Sequence, residues 1–307
     1  MQRSRACLAA GVALGLLAAP LSAQETPVAF VGARVVPVAG PEIPNGVVVV
    51  HRGKIVAVGA EGSVAIPPGA PRRDASGKVV MPGLVDTHSH IDGGQGADAS
   101  APIQPDVRAI DAINVADSAL QKAQAGGITT VNVMPGSGHL LSGQTAYLKL
   151  RDRKTIDELL LTTERGVTGG MKMANGTNSR RPPPFPGTRA KSAALVREQF
   201  VKAQEYRRKM SEAGGDPKKA PGRDLGLEAL GEVLDGRRVV HFHTHRHDDI
   251  LTALRLAEEF GFRVVLQHVS DAWKVAPQIA ASRQVVGSSL IVVDAPGGKL
   301  ETADVSF

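Results

Sequence analysis

The sequence predicts an α/β protein in which a small β-rich N-terminal region precedes a parallel α/β domain. From Val28 to Val80 short apolar runs alternate with turn signals, and after Pro82-Gly83 apolar strands alternate with helical stretches. Several of those later strands end in polar or metal-binding residues. Strands of that kind, each followed by a helix, are what a TIM barrel presents at its active face, with a doubly wound sheet as the structural alternative. A length of 307 residues accommodates one large barrel-like domain or two ordinary ones. The 42% hydrophobic, 21% charged and 3% aromatic composition excludes disorder, collagen and coiled coil.

Residues 1–23 read as a secretory signal peptide: Arg3 and Arg5 precede an apolar run from Ala6 to Ala19, then Pro20 and Leu21-Ser22-Ala23. The run is too short to span a bilayer and no later segment approaches that length, so a soluble, exported, periplasmic or secreted chain without a membrane span is expected. Removing Arg3 and Arg5 lowers the formal charge from +6 to +4, and no Lys/Arg run with interleaved aromatics points to nucleic acid. Cys7, the single cysteine, lies inside this segment, which leaves His, Asp, Glu or a modified Lys for any metal site.

Residues 24–79 form the β-rich part. Val47 to Val50 follows Asn45-Gly46, and Lys54 to Val58 follows Arg52-Gly53. From residue 80 onward, Leu84 to His88 is a strand, Asp106 to Ala125 a helix stopped by Gly126-Gly127, and Ile128 to Met134 a β-branched strand. Gly170 to Met173 ends another strand and Arg238 to His243 is a further one. Asp248 to Phe260 is an amphipathic helix ended by Gly261, and Arg263 to His268 and Ser288 to Val293 complete the series. Residues 175–223 are a long insertion: a Pro-rich loop from Arg181 to Gly187, a charged helix from about Ala190 to Ala213, and a polar linker.

The histidines carry the chemistry. His88 and His90 form a His-x-His pair at a strand end, where i and i+2 share a face and can bind one cation; a hydrogen-bonded structural pair is the alternative. His241, His243, His245 and His247 occupy alternate positions, but the strand should end near His243, so they do not define one site. His247, followed by Asp248 and Asp249, reads as an exposed residue near a helix start. His268 closes Val264-Val265-Leu266-Gln267. Three strand-end sites in order point to a metal centre.

The segment Val80-Met81-Pro82-Gly83-Leu84-Val85-Asp86-Thr87-His88-Ser89-His90 closely resembles the amidohydrolase superfamily. Gly53 to Gly59 before it and Ala125 to Val131 after it extend the likeness, which is greatest to imidazolonepropionases and prolidase-like dipeptidases. The resemblance implies a metal-dependent (β/α)8 TIM barrel carrying a small β-sandwich; here the barrel, residues 80–307, is expected to be incomplete at the C-terminus, lacking its last βα unit. It also implies that His88, His90, His243 and His268 are metal ligands, with His241 or His245 as alternatives to His243. Lys172 in Gly170-Met171-Lys172-Met173-Ala174 resembles the lysine that binuclear members carboxylate to bridge two metals; a surface lysine is the alternative.

The implied activity is hydrolysis of an amide, peptide or cyclic amide bond of a small, dipeptide-like substrate through a metal-activated hydroxide, with one or two zinc ions, or manganese, cobalt or iron. The family's acid/base aspartate follows its last barrel strand, and no such position is found: Asp294 and Asp304 have no matching strand before them. A chain that binds metal or ligand without turnover is therefore the competing expectation. His139, His245 and Arg180 are candidate substrate contacts, Arg180 together with Arg181 and Arg189 of the inserted loop as partners for a substrate carboxylate, with solvated loop arginines as the alternative. Oligomeric state has no sequence signal.

Overall fold

The computed structural model describes residues 25–91 and 98–289. The signal-peptide segment, Leu290 to Val293, Asp294 and Asp304 lie outside the described residues. The chain divides into two compact units, Met1–Pro82 and Gly83–Phe307.

The first unit is a five-stranded mixed sheet. Strands β1 (Val28–Val35), β2 (Ile43–His51) and β3 (Lys54–Ala60) form an antiparallel meander. β4 (Arg72–Asp74) and β5 (Val79–Val80) both pair parallel with β1. The β2–β3 hairpin closes through Arg52-Gly53 with both residues at positive φ (50° and 70°), the two-residue turn whose twist matches paired strands. Alternation along β2 sends Val47 and Val49 to one face with Ala29, and Val48 to the other with Ala33, Val35 and Ala75.

The second unit contains two sheets. In one, β6 (Leu84–Ser89) pairs parallel with β7 (Ile128–Val133), and β7 pairs antiparallel with β9 (Ala146–Lys149). In the other, β10 (Met171–Ala174), β11 (Val240–Thr244), β12 (Val264–His268) and β13 (Val285–Ser288) run parallel in that order, with β8 (Leu141–Gln144) antiparallel on β10. β8 and β9 are one extended segment interrupted at Thr145, whose backbone N–H and Oγ bond the carbonyl and N–H of Gly170. This segment passes from the β10 ladder to the β7 ladder and replaces the parallel strand that strict alternation would put there.

Helices pack on the sheets by their apolar stripes. α1 (Ser118–Ala125) and the short α2 (Ile156–Leu159) contribute Leu120 and Leu159 to a core with Val131, Val133 and Leu148. α3 (Arg189–Ala213) buries Ser192, Val196, Phe200, Ala203 and Tyr206, spaced three and four apart. Thr188 caps it by accepting from Lys191 N–H. α3, α4 (Leu225–Leu234) and α5 (His247–Phe260) share one core with β10 to β13, centred on Phe200 stacked against Phe260 and Phe262 at 5.0 and 5.1 Å. α6 (Ala276–Ala281) follows a 3-10 turn and precedes β13.

The structure departs from the expected elements in three places. The predicted helix over residues 106–125 is a 3-10 turn (Ala109–Asp111), irregular backbone and then α1. Asn114 and Asp117 accept from the N–H groups of Ala116 and Ala119, and these side-chain turns end one path and cap a new one. The predicted strand from residue 288 is preceded by β13, which already reaches Ser288. The charged helix, expected as part of an insertion, is a layer of the main core, since its apolar stripe covers the β10–β13 sheet.

Candidate functional site

β11 and β12 are parallel neighbours in register, so their C-terminal ends bring His243, His245 and His268 together, and the end of β6 meets them through His88. His88 packs on His90 at 4.9 Å between ring centroids and on His268 at 4.7 Å. His268 continues to His243 at 4.7 Å, and His243 to His245 at 4.7 Å. Five rings from three strand ends thus form one chain. His268 and Val269 adopt positive φ (77° and 30°). Non-glycine residues occupy that region only where the surroundings hold them there, and such strain concentrates at functional sites.

The His88 and His90 Nε2 atoms stand 3.2 Å apart. His90 Nδ1 donates to the Met134 carbonyl at 2.8 Å, and His88 Nδ1 lies 3.0 Å from Gln267 Oε1. Both partners are acceptors, so each Nδ1 carries the ring proton and each Nε2 presents a bare lone pair. Two lone pairs at that distance repel, and a shared cation turns the repulsion into binding. Nitrogen ligands at 2.0–2.1 Å around a tetrahedral ion lie about 3.3 Å from one another. The pair therefore fits a divalent metal.

Lys172 is fully buried, with Nζ 3.4 Å from His88 Nε2 and 3.3 Å from Met134 Sδ. Burial and the neighbouring Lys172 cation push the His88 imidazole down to about 4, and burial also lowers His90. Both rings are consequently neutral at physiological pH, the form a metal requires. Among the described residues no three His, Cys, Asp or Glu side chains converge as a ready-made metal group. The convergence consists of two imidazoles and a lysine, with the other rings adjacent.

The three histidines around β11 have different neighbours. His241 lies 3.1 Å from the Asn132 amide, 3.5 Å from the Tyr147 hydroxyl and 3.2 Å from Gln267 Nε2, and burial depresses it to about 3. Gly170 makes that position available, because a Cβ there would come within 2.5 Å of the His241 ring. His243 sits in the ring chain, and its Nε2 accepts from Asn178 Nδ2 at 3.0 Å. Asn178 also donates to Ser137 Oγ, which ties the inserted loop and the loop after β7 to this histidine. His245 is buried with Nδ1 2.9 Å from Ser270 Oγ.

The other candidates are elsewhere. His139 is buried edge-on against Phe185, 5.0 Å away, and Arg181 lies over the same Phe185 ring while bonding the Gly138 carbonyl. Arg180 bonds the Gly176 carbonyl within its own loop. Arg189 makes a two-oxygen contact with Asp249 at 2.9 Å and serves the α3–α5 junction. His247 is exposed at the start of α5, near Asp271. Sequence reasoning missed Gln267, Asn178 and Met134; Gln267 had a signal in its place beside His268 at the end of a buried strand.

No family model matches the chain. A solved amidohydrolase from Thermotoga maritima MSB8 is 32% identical with a TM-score of 0.82, over 91% of this chain and 73% of that one. The chain belongs to the amidohydrolase superfamily. Amidohydrolase tasK of Hapsidospora irregularis is 28% identical over 263 residues, 76% of this chain and 27% of that protein. A 61-residue stretch is 46% identical to a 5-methylthioadenosine/S-adenosylhomocysteine deaminase from Symbiobacterium thermophilum, covering 19% of this chain and 14% of the deaminase. The chain thus spans about a quarter or less of the length of these curated relatives.

Proposed function

We propose that this chain carries the metal centre of a hydrolase that cleaves a C–N bond, amide, peptide or cyclic amide, in a small substrate. The facing Nε2 lone pairs of His88 and His90 are the observation that carries this reading. The chemistry supplied by a divalent ion held there, zinc above all, is polarisation of the scissile carbonyl and acidification of water. His88 and His90 would hold the ion, with His268 and His243 as further ligands, the latter in place of its bond to Asn178.

Lys172, buried beside neutral imidazoles, would bridge a second ion after its amine adds CO2 to give a carbamate and one proton. The parallel strands β6, β7 and β10 to β13 would form part of a (β/α)8 barrel, the N-terminal sheet part of a sandwich, and residues 1–23 would direct export. Among the described residues no helix is long and apolar enough to cross a membrane.

A second reading is metal binding without turnover, in which His88 and His90 hold the ion and no group serves as the acid/base. Metal analysis of the whole chain, with hydrolysis of a dipeptide and hydantoin panel, separates the two. Zinc near two per chain, with turnover that His88→Ala abolishes, supports hydrolysis. Bound zinc without turnover supports the second reading, and a metal-free inert protein refutes both.

A further inference from the structure

Gln267 is fully buried at the penultimate position of β12, with its amide between two histidines from different strands. Oε1 lies 3.0 Å from His88 Nδ1, and Nε2 lies 3.2 Å from His241 Nδ1. The orientation of such an amide is fixed by its surroundings. Here Ser289 decides it: Ser289 Oγ accepts from the His268 N–H at 3.1 Å, which frees its own hydrogen to be donated to Gln267 Oε1 at 2.7 Å. Reversing the amide would strand the Ser289 hydrogen and leave His88 Nδ1 facing a donor. Oε1 is therefore an acceptor locked in place by Ser289, and it compels His88 to carry its proton on Nδ1.

We propose that Gln267 is a positioning residue for the metal centre: its amide oxygen, held by Ser289, fixes the ring angle and tautomer that present His88 Nε2 to the ion. The inference rests on the metal reading above and adds to it a group that touches no metal. Most metal-binding histidines donate their second N–H to such an outer partner, and losing that partner weakens metal affinity about 10- to 100-fold. An amide in this place also differs from a carboxylate: it orients the ring without adding a negative charge under the site. On its other side the Gln267 amide nitrogen lies 3.2 Å from His241 Nδ1.

The test uses the full chain and Gln267→Met, which keeps length and removes the polar contacts to His88, His241 and Ser289, and Gln267→Glu, which restores the acceptor. Two quantities are read: the His88 tautomer in the metal-free protein by long-range proton–nitrogen NMR, assigned with His88→Ala, and zinc affinity by chelator competition. The parent should hold the His88 proton on Nδ1, and Gln267→Met should lose that preference and bind zinc about 10- to 100-fold more weakly. Gln267→Glu should return both to within about threefold of the parent, which a loss of folding alone would not do. An unchanged His88 tautomer in Gln267→Met, zinc affinity equal to the parent, or no rescue by Gln267→Glu overturns the proposal. A parent that takes up no zinc refutes the metal reading separately, and the tautomer measurement still decides whether Gln267 sets His88.

Discussion

Acidification of the metal-free chain should remove stability in a window set by its buried imidazoles. His241 is pushed down to about 3 and His88 to about 4, both from 6.5 and both first by burial. Folded values lie below the unfolded one, so the unfolded chain binds the extra protons, and this stability is full above pH 6.5 and drains as pH falls. Each fully shifted histidine contributes a slope of about 1.4 kcal/mol per pH unit. Between pH 6.5 and 4.5 His241 alone accounts for about 2 kcal/mol, because the unfolded histidine is only half protonated at the start of that window. His88, which solvent partly reaches, adds roughly half of that after screening. A total of about 3 kcal/mol is a large share of a domain's net stability, about 5–15 kcal/mol. Asp248, held near 2 first by its hydrogen bond to Arg246, remains ionised across this window. Urea unfolding with chelator present, at half-unit steps from pH 7.5 to 4.5, measures the slope. His241→Gln should remove about two thirds of it. A flat parent profile, or a variant as steep as the parent, would refute the burial of His241 as the source.

Two further perturbations probe the scaffold. Asp249→Ala leaves the Arg189 guanidinium without its carboxylate at the α3–α5 junction; because Arg189 is one quarter exposed, the loss should be about 3 kcal/mol, read by urea midpoint. An unchanged midpoint would mean the pair contributes nothing. Phe200→Ala removes a ring with no exposure between Phe260 and Phe262 and should cost about 3–5 kcal/mol, with Phe200→Leu clearly milder, by thermal unfolding. Equal costs for both variants would show that the stacked rings, and not the filled volume, set the stability.

Much of this was legible because local chemistry and tertiary role coincide. The β-branched run at β7, the apolar run of β12 and the amphipathic period of α5 are each bounded by glycine, and each formed close to where the pattern puts it. Residues 106–125 misled because Ile110, Ile113, Ala116, Leu120 and Ala123 mimic a helical period, while the Asn114 and Asp117 side chains compete for the backbone. The strand β8 was hidden by Gly143 and by its reversed direction, which only pairing with β10 reveals. In the site, His88, His90, His243 and His268 are readable as strand-end residues. The separation of His241 from His243 is not, because alternate strand positions share a face and differ only in depth along it, which the facing partners Asn132 and Gln267 determine.

The single extended segment of β8 and β9 has a consequence for how the second unit assembles. Parallel neighbours joined by crossover helices can dock one pair at a time, but the β7 and β10 ladders both terminate on the same nine residues. Neither ladder reaches its full set of backbone bonds until that segment is laid down, and peeling it away exposes both edges at once. It works as a zip between two half-sheets, so the imidazoles delivered by β6 on one side and by β11 and β12 on the other are assembled in the same cooperative event that closes the backbone.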